Sequence, residues 1–253
     1  MGSLVGFPKS GKMSKRDALE VMNDGYSIFL KDFQFLGYLP EAVANWIALI
    51  GWSYDDHTEI FSMKDLVEKF SIKNLNPSPA AINFTKLDHF NGVHIRNLTT
   101  EDLAARVAPY LRAEGYQVDS MTLLKVIPLI RERLVTLDDS ISMAGFFFRE
   151  QVSPKPEDLV GKDLSAQQTT EILVQAREII EGNHEFSAEW LEQRFRDYVD
   201  QSDYSIKQVF GILRVAITGQ RVSPPLFESM EIVGKEKVMR RLELAARLLE
   251  SGG

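Results

Sequence analysis

Six apolar residues, Leu123, Ile127, Ile130, Leu134, Leu137 and Ile141, recur at spacings of 4, 3, 4, 3 and 4. That alternation averages to the period of an α-helix and puts all six on one face. The spacing therefore predicts a helix over 123–141. Pro128 lies inside the run and predicts a kink or a restart there, because proline lacks the N–H that the preceding turn needs. The same period returns toward the C-terminus. Ile172, Leu173, Ala176, Ile179 and Ile180 form a stripe whose start Ser165 and Gln168 cap and whose end Gly182 marks. Leu191, Phe195 and Tyr198 form the next. Ile206, Val209, Phe210, Leu213 and Ile217 follow, between a Ser205–Gln208 capping box and Gly219. Val238, Leu242, Ala245 and Leu249 make the last. Upstream, Leu39–Ile50 and Met63–Phe70 also read as helices, the second with a Ser62–Asp65 capping box. Alternation of period two is scarce, so the expected fold class is all-α.

Two stretches punctuate the pattern. Asn97–Glu101 restarts a helix after a loop, with Thr99 as its cap. Ser153–Gly161 is rich in proline and polar residues and reads as a linker where hinge motion is expected. With 253 residues there is room for one large domain or for two or three small ones. The absence of cysteine excludes disulfides, a thiolate nucleophile and thiolate-bound metal. The histidines at 57, 89, 94 and 184 show no metal-ligand spacing, so no metal site is expected. No apolar run approaches the ~18–20 residues that span a bilayer, and no signal-peptide pattern opens the chain. A cytoplasmic protein with no membrane partner is the expectation.

The net charge of −7 is unevenly distributed. Residues 1–16 carry +4, residues 205–253 carry +3 and the middle carries −14. Phosphate contacts are local, so an acidic body flanked by basic segments is compatible with a polyanionic partner. Solvated helix faces would account for the same charges. The basic string Lys12-Met13-Ser14-Lys15-Arg16 follows a loop containing Gly2, Gly6, Pro8 and Gly11. A loop with two lysines and a serine can close on a polyphosphate and neutralise charge that develops there.

In this context Gly11–Asp17 resembles the second signature loop of class I aminoacyl-tRNA synthetases. Gly37–Ser53 looks like the helix that follows this loop in glutamyl-tRNA synthetases. Glu59–Phe70, Ser78–Leu87 and Phe90–Arg96 resemble the next blocks of that family in order, and Leu213–Glu228 and Gly234–Val238 resemble its bacterial-type C-terminal block. The resemblance covers essentially the whole chain. It implies the C-terminal portion of such an enzyme: the tail of the catalytic domain over 1–16, a stem-contact domain over 17–97, and helical anticodon-binding units over 98–152 and 153–253, in an elongated arrangement. The first ATP signature and the glutamate pocket of the family precede the lysine-serine loop and have no counterpart here. A removed upstream part is thus expected, and Met1-Gly2-Ser3 would suit a cloning scar.

The resemblance also implies roles. Lys15 would steady the phosphates of ATP during glutamate activation and Lys12 would assist, with ATP and Mg as substrate and cofactor of the full-length enzyme and no cofactor in this portion. Arg133 and Arg214 match arginines that read anticodon bases, and Ser223, Pro224 and Leu226 match a loop that touches the anticodon. The partner would be tRNA(Glu), with no DNA, and the protein a monomer. Each arginine has a plainer reading as a surface side chain paired with a neighbour such as Glu132, and Leu226 as a core residue. The aromatics of residues 24–37 and Phe146–Phe148 read as packing rather than as stacking platforms. Two alternatives stand beside the main one: a stand-alone helical module that binds tRNA or protein, and a non-discriminating enzyme that also charges tRNA(Gln). Arginine at 133 leans toward the discriminating kind.

Overall fold

The computed structural model describes residues 30–76 and 82–250. The apolar stripes become thirteen α-helices among these residues: α1 (Leu30–Phe35), α2 (Pro40–Ala48), α3 (Met63–Lys69), α4 (Phe84–Arg96), α5 (Thr100–Ala113), α6 (Ser120–Ile130), α7 (Asp139–Ala144), α8 (Pro156–Leu159), α9 (Ala166–Glu181), α10 (Ala188–Asp200), α11 (Ile206–Thr218), α12 (Leu226–Val233) and α13 (Lys235–Glu250). Short 3-10 turns stand at Ile72–Asn74, Arg131–Arg133 and Gly145–Phe148. No strand occurs among the described residues. The helix starts fall where the side-chain oxygens predict them. Ser62, Ser165 and Ser205 each close a capping box with Asp65, Gln168 and Gln208, and Thr99 Oγ1 accepts the Asp102 N–H at 3.1 Å. None of these helices is long and apolar enough to cross a membrane.

Two compact units divide the chain. Among the described residues, one comprises those up to Tyr110 together with Arg131–Ser140, and the other comprises Leu111–Ile130 together with those from Ile141 onward. The proline-rich segment expected to be a linker lies within the second unit and is tied down there. It forms α8, buries Leu159 completely, and is held by Arg221, whose Nε pairs with Asp158 at 2.7 Å and whose Nη2 donates to the Glu157 carbonyl at 3.1 Å.

The helix expected over 123–141 is two helices instead. Proline 128 sits inside α6, and the break comes after Ile130. Leu134 and Leu137 are buried, as the period predicts, but an irregular stretch delivers them, and they join the first unit. Tertiary hydrogen bonds outweigh the local period here. The Asp139 carboxylate accepts the N–H groups of Val135 and Thr136 at 2.9 and 2.8 Å. Asn91 Nδ2 donates to the Val135 carbonyl at 2.7 Å, and the Leu137 N–H donates to the Gly37 carbonyl at 2.8 Å.

The first unit is organised around two buried asparagines. Asn91 on α4 also accepts the Leu39 N–H at 2.8 Å, so one amide joins the start of α2 to the 134–138 stretch. Gly37 makes the approach possible. It has a φ of +82°, and a Cβ there would lie 2.5 Å from the Asp138 nitrogen. Asn45 on α2 accepts the Phe61 N–H and donates to the Glu59 carbonyl, both at 2.9 Å. These two bonds fix its amide with Oδ1 as an acceptor, so His94 Nε2, 3.2 Å from that oxygen, carries the proton. Aromatic packing surrounds them: Phe33, Tyr38, Trp46, Phe84 and Phe90 form one cluster, and Trp52, Phe61 and Leu66 another. Of the aromatics expected to pack near the start, Phe33 does so while Phe35 is 76 % exposed. Tyr26 and Phe29 lie outside the described residues.

In the second unit the two sixteen-residue helices, α9 and α13, lie against each other along their stripes. Ile172, Leu173, Ala176 and Ile180 meet Val238, Leu242, Ala245 and Leu249, all buried. Helix α11 adds Val209, Leu213 and Ile217. Phe146 and Phe147 stack at 4.1 Å and are buried, as expected of core aromatics.

Two outcomes are expected. Asn91→Leu keeps the side chain's branching but leaves the buried Leu39 N–H without its partner and takes the Asn91 donor from the Val135 carbonyl; urea unfolding should show a loss of about 2 kcal/mol. The second concerns His94, whose ring burial holds below the ordinary imidazole range against the opposite pull of Glu41. The native ring therefore binds fewer protons than the unfolded one. Its contribution to stability is present above about pH 6.5 and is lost as pH falls through that value toward the depressed native one. Urea midpoints followed from about pH 7.5 to about pH 5.5 should fall more steeply for the wild type than for His94→Gln. Parallel slopes would mean that another group governs this pH range.

Candidate nucleic-acid interface

Arg133 ends the 3-10 turn Arg131–Arg133, between the buried side chains of Ile130 and Leu134. A residue between two inward positions faces outward, and Arg133 is exposed together with Glu132. Its neighbour Arg131 turns back and donates from Nη2 to Thr100 Oγ1 at 2.9 Å. Arg133 belongs to the first unit. Arg214 belongs to the second, on α11, one position after the buried Leu213, and is half-buried. Its backbone is fixed from below: the Thr218 hydroxyl donates to the Arg214 carbonyl at 2.7 Å.

The turn that leaves α11 begins at Gly219, whose φ of +76° is left-handed, and its N–H donates to the Val215 carbonyl. A non-glycine residue there would be strained. The hydroxyl of Thr218 then accepts the Gln220 N–H at 3.2 Å, and Gln220 Nε2 donates to the Ser142 carbonyl at 2.8 Å. Arg221 holds α8 as described, and Val222 beside it is 80 % exposed. The chain next turns inward. Ser223 is 7 % exposed and Leu226 4 %. Pro224 is buried as well, its carbonyl accepting from Ser223 Oγ at 3.0 Å. The structure thus gathers Arg214, Ser223, Pro224 and Leu226 around one helix–loop–helix turn. Leu226 sits in the core at the start of α12, and Ser223 and Pro224 offer shape and backbone more than side-chain surface. Lys12 and Lys15 lie outside the described residues.

One residue of this region was not singled out from the sequence. Arg241 is 1 % exposed and heads the largest fully buried side chains. Its position carries a signal, because 238, 241, 242 and 245 are spaced as one helix face and a charged residue stands within the apolar stripe. Nη1 donates to the Ile217 carbonyl at 2.6 Å, and Nη2 donates to the carbonyls of Phe146 at 2.8 Å and Arg149 at 2.5 Å. Burial lowers its pKa to about 10, with Glu150 opposing and Arg149 adding to the shift, so it remains a cation at neutral pH.

Comparison with known proteins gives these features a family. Residues 102–246 match the family model of the anticodon binding domain. Residues 4–89 match that of the catalytic domain of class I tRNA synthetases for E and Q. The glutamate–tRNA ligase of Borreliella afzelii (strain PKo) is 36 % identical over 244 residues, which are 94 % of this chain and 48 % of that protein. The glutamate–tRNA ligase of Herpetosiphon aurantiacus is 39 % identical over 222 residues, 85 % of this chain and 45 % of that protein. Among solved structures, a glutamate tRNA ligase from Elizabethkingia meningosepticum, crystallised in complex with its amino acid, superposes with a TM-score of 0.81 at 25 % identity, over 96 % of this chain and 49 % of that one. A second structure, from Elizabethkingia anophelis, has the same fold at a TM-score of 0.75.

The capped helices, with no strand among the described residues, and the family match over 102–246 define the class as the anticodon-binding domains. The chain belongs to that family, and the relatives named above are glutamate–tRNA ligases. It spans about half the length of these relatives, 48 % and 45 % of the two named.

Proposed function

We propose that this chain is the tRNA-recognition part of a glutamate–tRNA ligase, and that it holds tRNA(Glu) by its anticodon. The observation that carries this reading is the anticodon-binding match over 102–246 in a chain whose relatives are glutamate–tRNA ligases. Two features of the residues support it. Arg133 and Arg214 both stand clear of the core, one exposed and one half-buried, and a guanidinium presents rigid paired donors and stacks on bases. Sequence in RNA is read on unstacked single-stranded bases, through edge hydrogen bonds and stacking, which is the state of a splayed anticodon loop. Arg133 and Arg214 are assigned the base edges. Ser223, Pro224 and Leu226 are assigned the surface that shapes the loop. The partner is tRNA(Glu), bound by a monomer in the cytoplasm. Lys12 and Lys15 are assigned to the phosphates of ATP, with its magnesium, when glutamate is activated by the whole ligase.

The test of the anticodon assignment is a titration of Arg133→Gln and Arg214→Ala with tRNA transcripts that differ only in the anticodon. Loss of one good paired contact should cost roughly 1–3 kcal/mol with the cognate transcript and much less with the swapped one. Arg133 should show the larger loss, at the third anticodon base. Equal weakening of both transcripts, with a shallower dependence on salt, would make these residues phosphate contacts and not readers. No change for either would return them to ordinary surface arginines.

The division of labour has its own test. Glutamate activation is assigned to the whole class I catalytic domain, of which residues 4–89 match one stretch. The purified 253-residue chain should therefore give no glutamate-dependent ATP–pyrophosphate exchange. Exchange above background would place the chemistry in this chain and overturn the assignment.

A further inference from the structure

Helix α11 ends one turn beyond Arg214, and the last carbonyls of any helix have no partner within it. Two of them are answered here, one by the cap residue itself and one from elsewhere along the chain. Gly219 returns to Val215, while the Ile217 carbonyl receives Arg241 Nη1 at 2.6 Å. The same guanidinium reaches the Phe146 and Arg149 carbonyls, at the exit of the Gly145–Phe148 turn. One planar cation thus bolts the end of α11 to a second segment of the unit. Arginine suits this task because its donors are held in a fixed fork, whereas a lysine offers a single point. The hydrogen bonds continue outward from the bolt. Residue 218, next to the clamped carbonyl, grips both the Arg214 carbonyl and the Gln220 N–H through its hydroxyl, and Gln220 and Arg221 fasten the turn to Ser142, Glu157 and Asp158.

We infer that Arg241 is a positioning residue for anticodon reading: it fixes the end of α11 so that Arg214 and the 219–225 turn meet the RNA in one set geometry. This inference rests on the anticodon assignment above. Arg241 is 1 % exposed and touches no RNA itself. Its influence is exerted through the Ile217 carbonyl, one helical turn from Arg214. A guanidinium that served stability alone would change the melting temperature and leave the choice among tRNAs as it was.

The experiment compares the 253-residue chain with Arg241→Lys, Arg214→Ala and the double variant, each titrated with a tRNA(Glu) transcript and with the same transcript carrying a swapped anticodon. All titrations are run well below each variant's melting temperature. The quantity read is the ratio of the two affinities. Arg241→Lys keeps a buried cation but cannot span three carbonyls, and its ratio should fall by about tenfold, equivalent to about 1.4 kcal/mol. Because Arg241 acts through Arg214 and the turn beside it, the double variant should lose less discrimination than the two single losses multiplied. An unchanged ratio for Arg241→Lys, or losses that simply multiply in the double variant, would overturn the inference. If the wild type itself shows no preference between transcripts, the anticodon reading fails, and that outcome is distinct. Should Arg241→Lys not fold, amide hydrogen exchange on the wild type decides. The N–H groups of Gly219 and Gln220 should be protected close to the level of α11, and exchange at the rate of an open loop would rule the bolt out.

Discussion

A fold made of short helices leaves buried backbone groups at every bend, and each must find a partner or cost the chain free energy. Three buried side chains meet that constraint in this protein. Asn91 serves Leu39 and Val135, Asn45 serves Glu59 and Phe61, and Arg241 serves Phe146, Arg149 and Ile217. In each case one polar group joins segments far apart in sequence, at places where a helix begins, ends or gives way to an irregular stretch. Apolar stripes bring the helices together, and these polar groups decide where the helices stop.

That distinction separates what could be read in the sequence from what could not. Helix starts were legible because a cap is a local chemical event. Ser62, Ser165 and Ser205 find their partners three residues away, and so does Thr99. The end at Gly219 was legible for a similar reason, since a left-handed residue favours glycine. Periodicity also named the buried residues well, Leu134 and Leu137 included. It failed on how they are delivered. The break after Ile130 depends on Asn91 and Gly37, some forty and a hundred residues distant in the chain, and no window along the sequence contains that information. The same holds for Ser153–Gly161, whose prolines suggest a joint until Arg221 is seen holding it.

The candidate interface follows the same rule. Outward-facing Arg133 could be deduced from its place between Ile130 and Leu134, and the family resemblance gave it a role. Arg214 and the turn after it were found through resemblance, yet the inward packing of Ser223, Pro224 and Leu226 emerged only with the fold. Arg241 was visible as a charged residue inside an apolar stripe, but its meaning lies in three carbonyls from two other segments. A net charge of −7 does not oppose the proposed role. Base reading needs a few cations in set positions rather than a positive average.

The pairing of α9 with α13 has a consequence for synthesis. The two stripes belong to segments whose centres are separated by roughly seventy residues, and ribosomes add about 5–20 residues per second. For several seconds after α9 leaves the exit tunnel, its apolar face lacks the cover of α13, and the carbonyls of Phe146, Arg149 and Ile217 wait for a guanidinium not yet made. During translation the second unit is therefore exposed to chaperones or to mispairing until its latest helix arrives. Rare codons between Gly182 and Lys235 would lengthen that interval without altering a single contact of the finished protein.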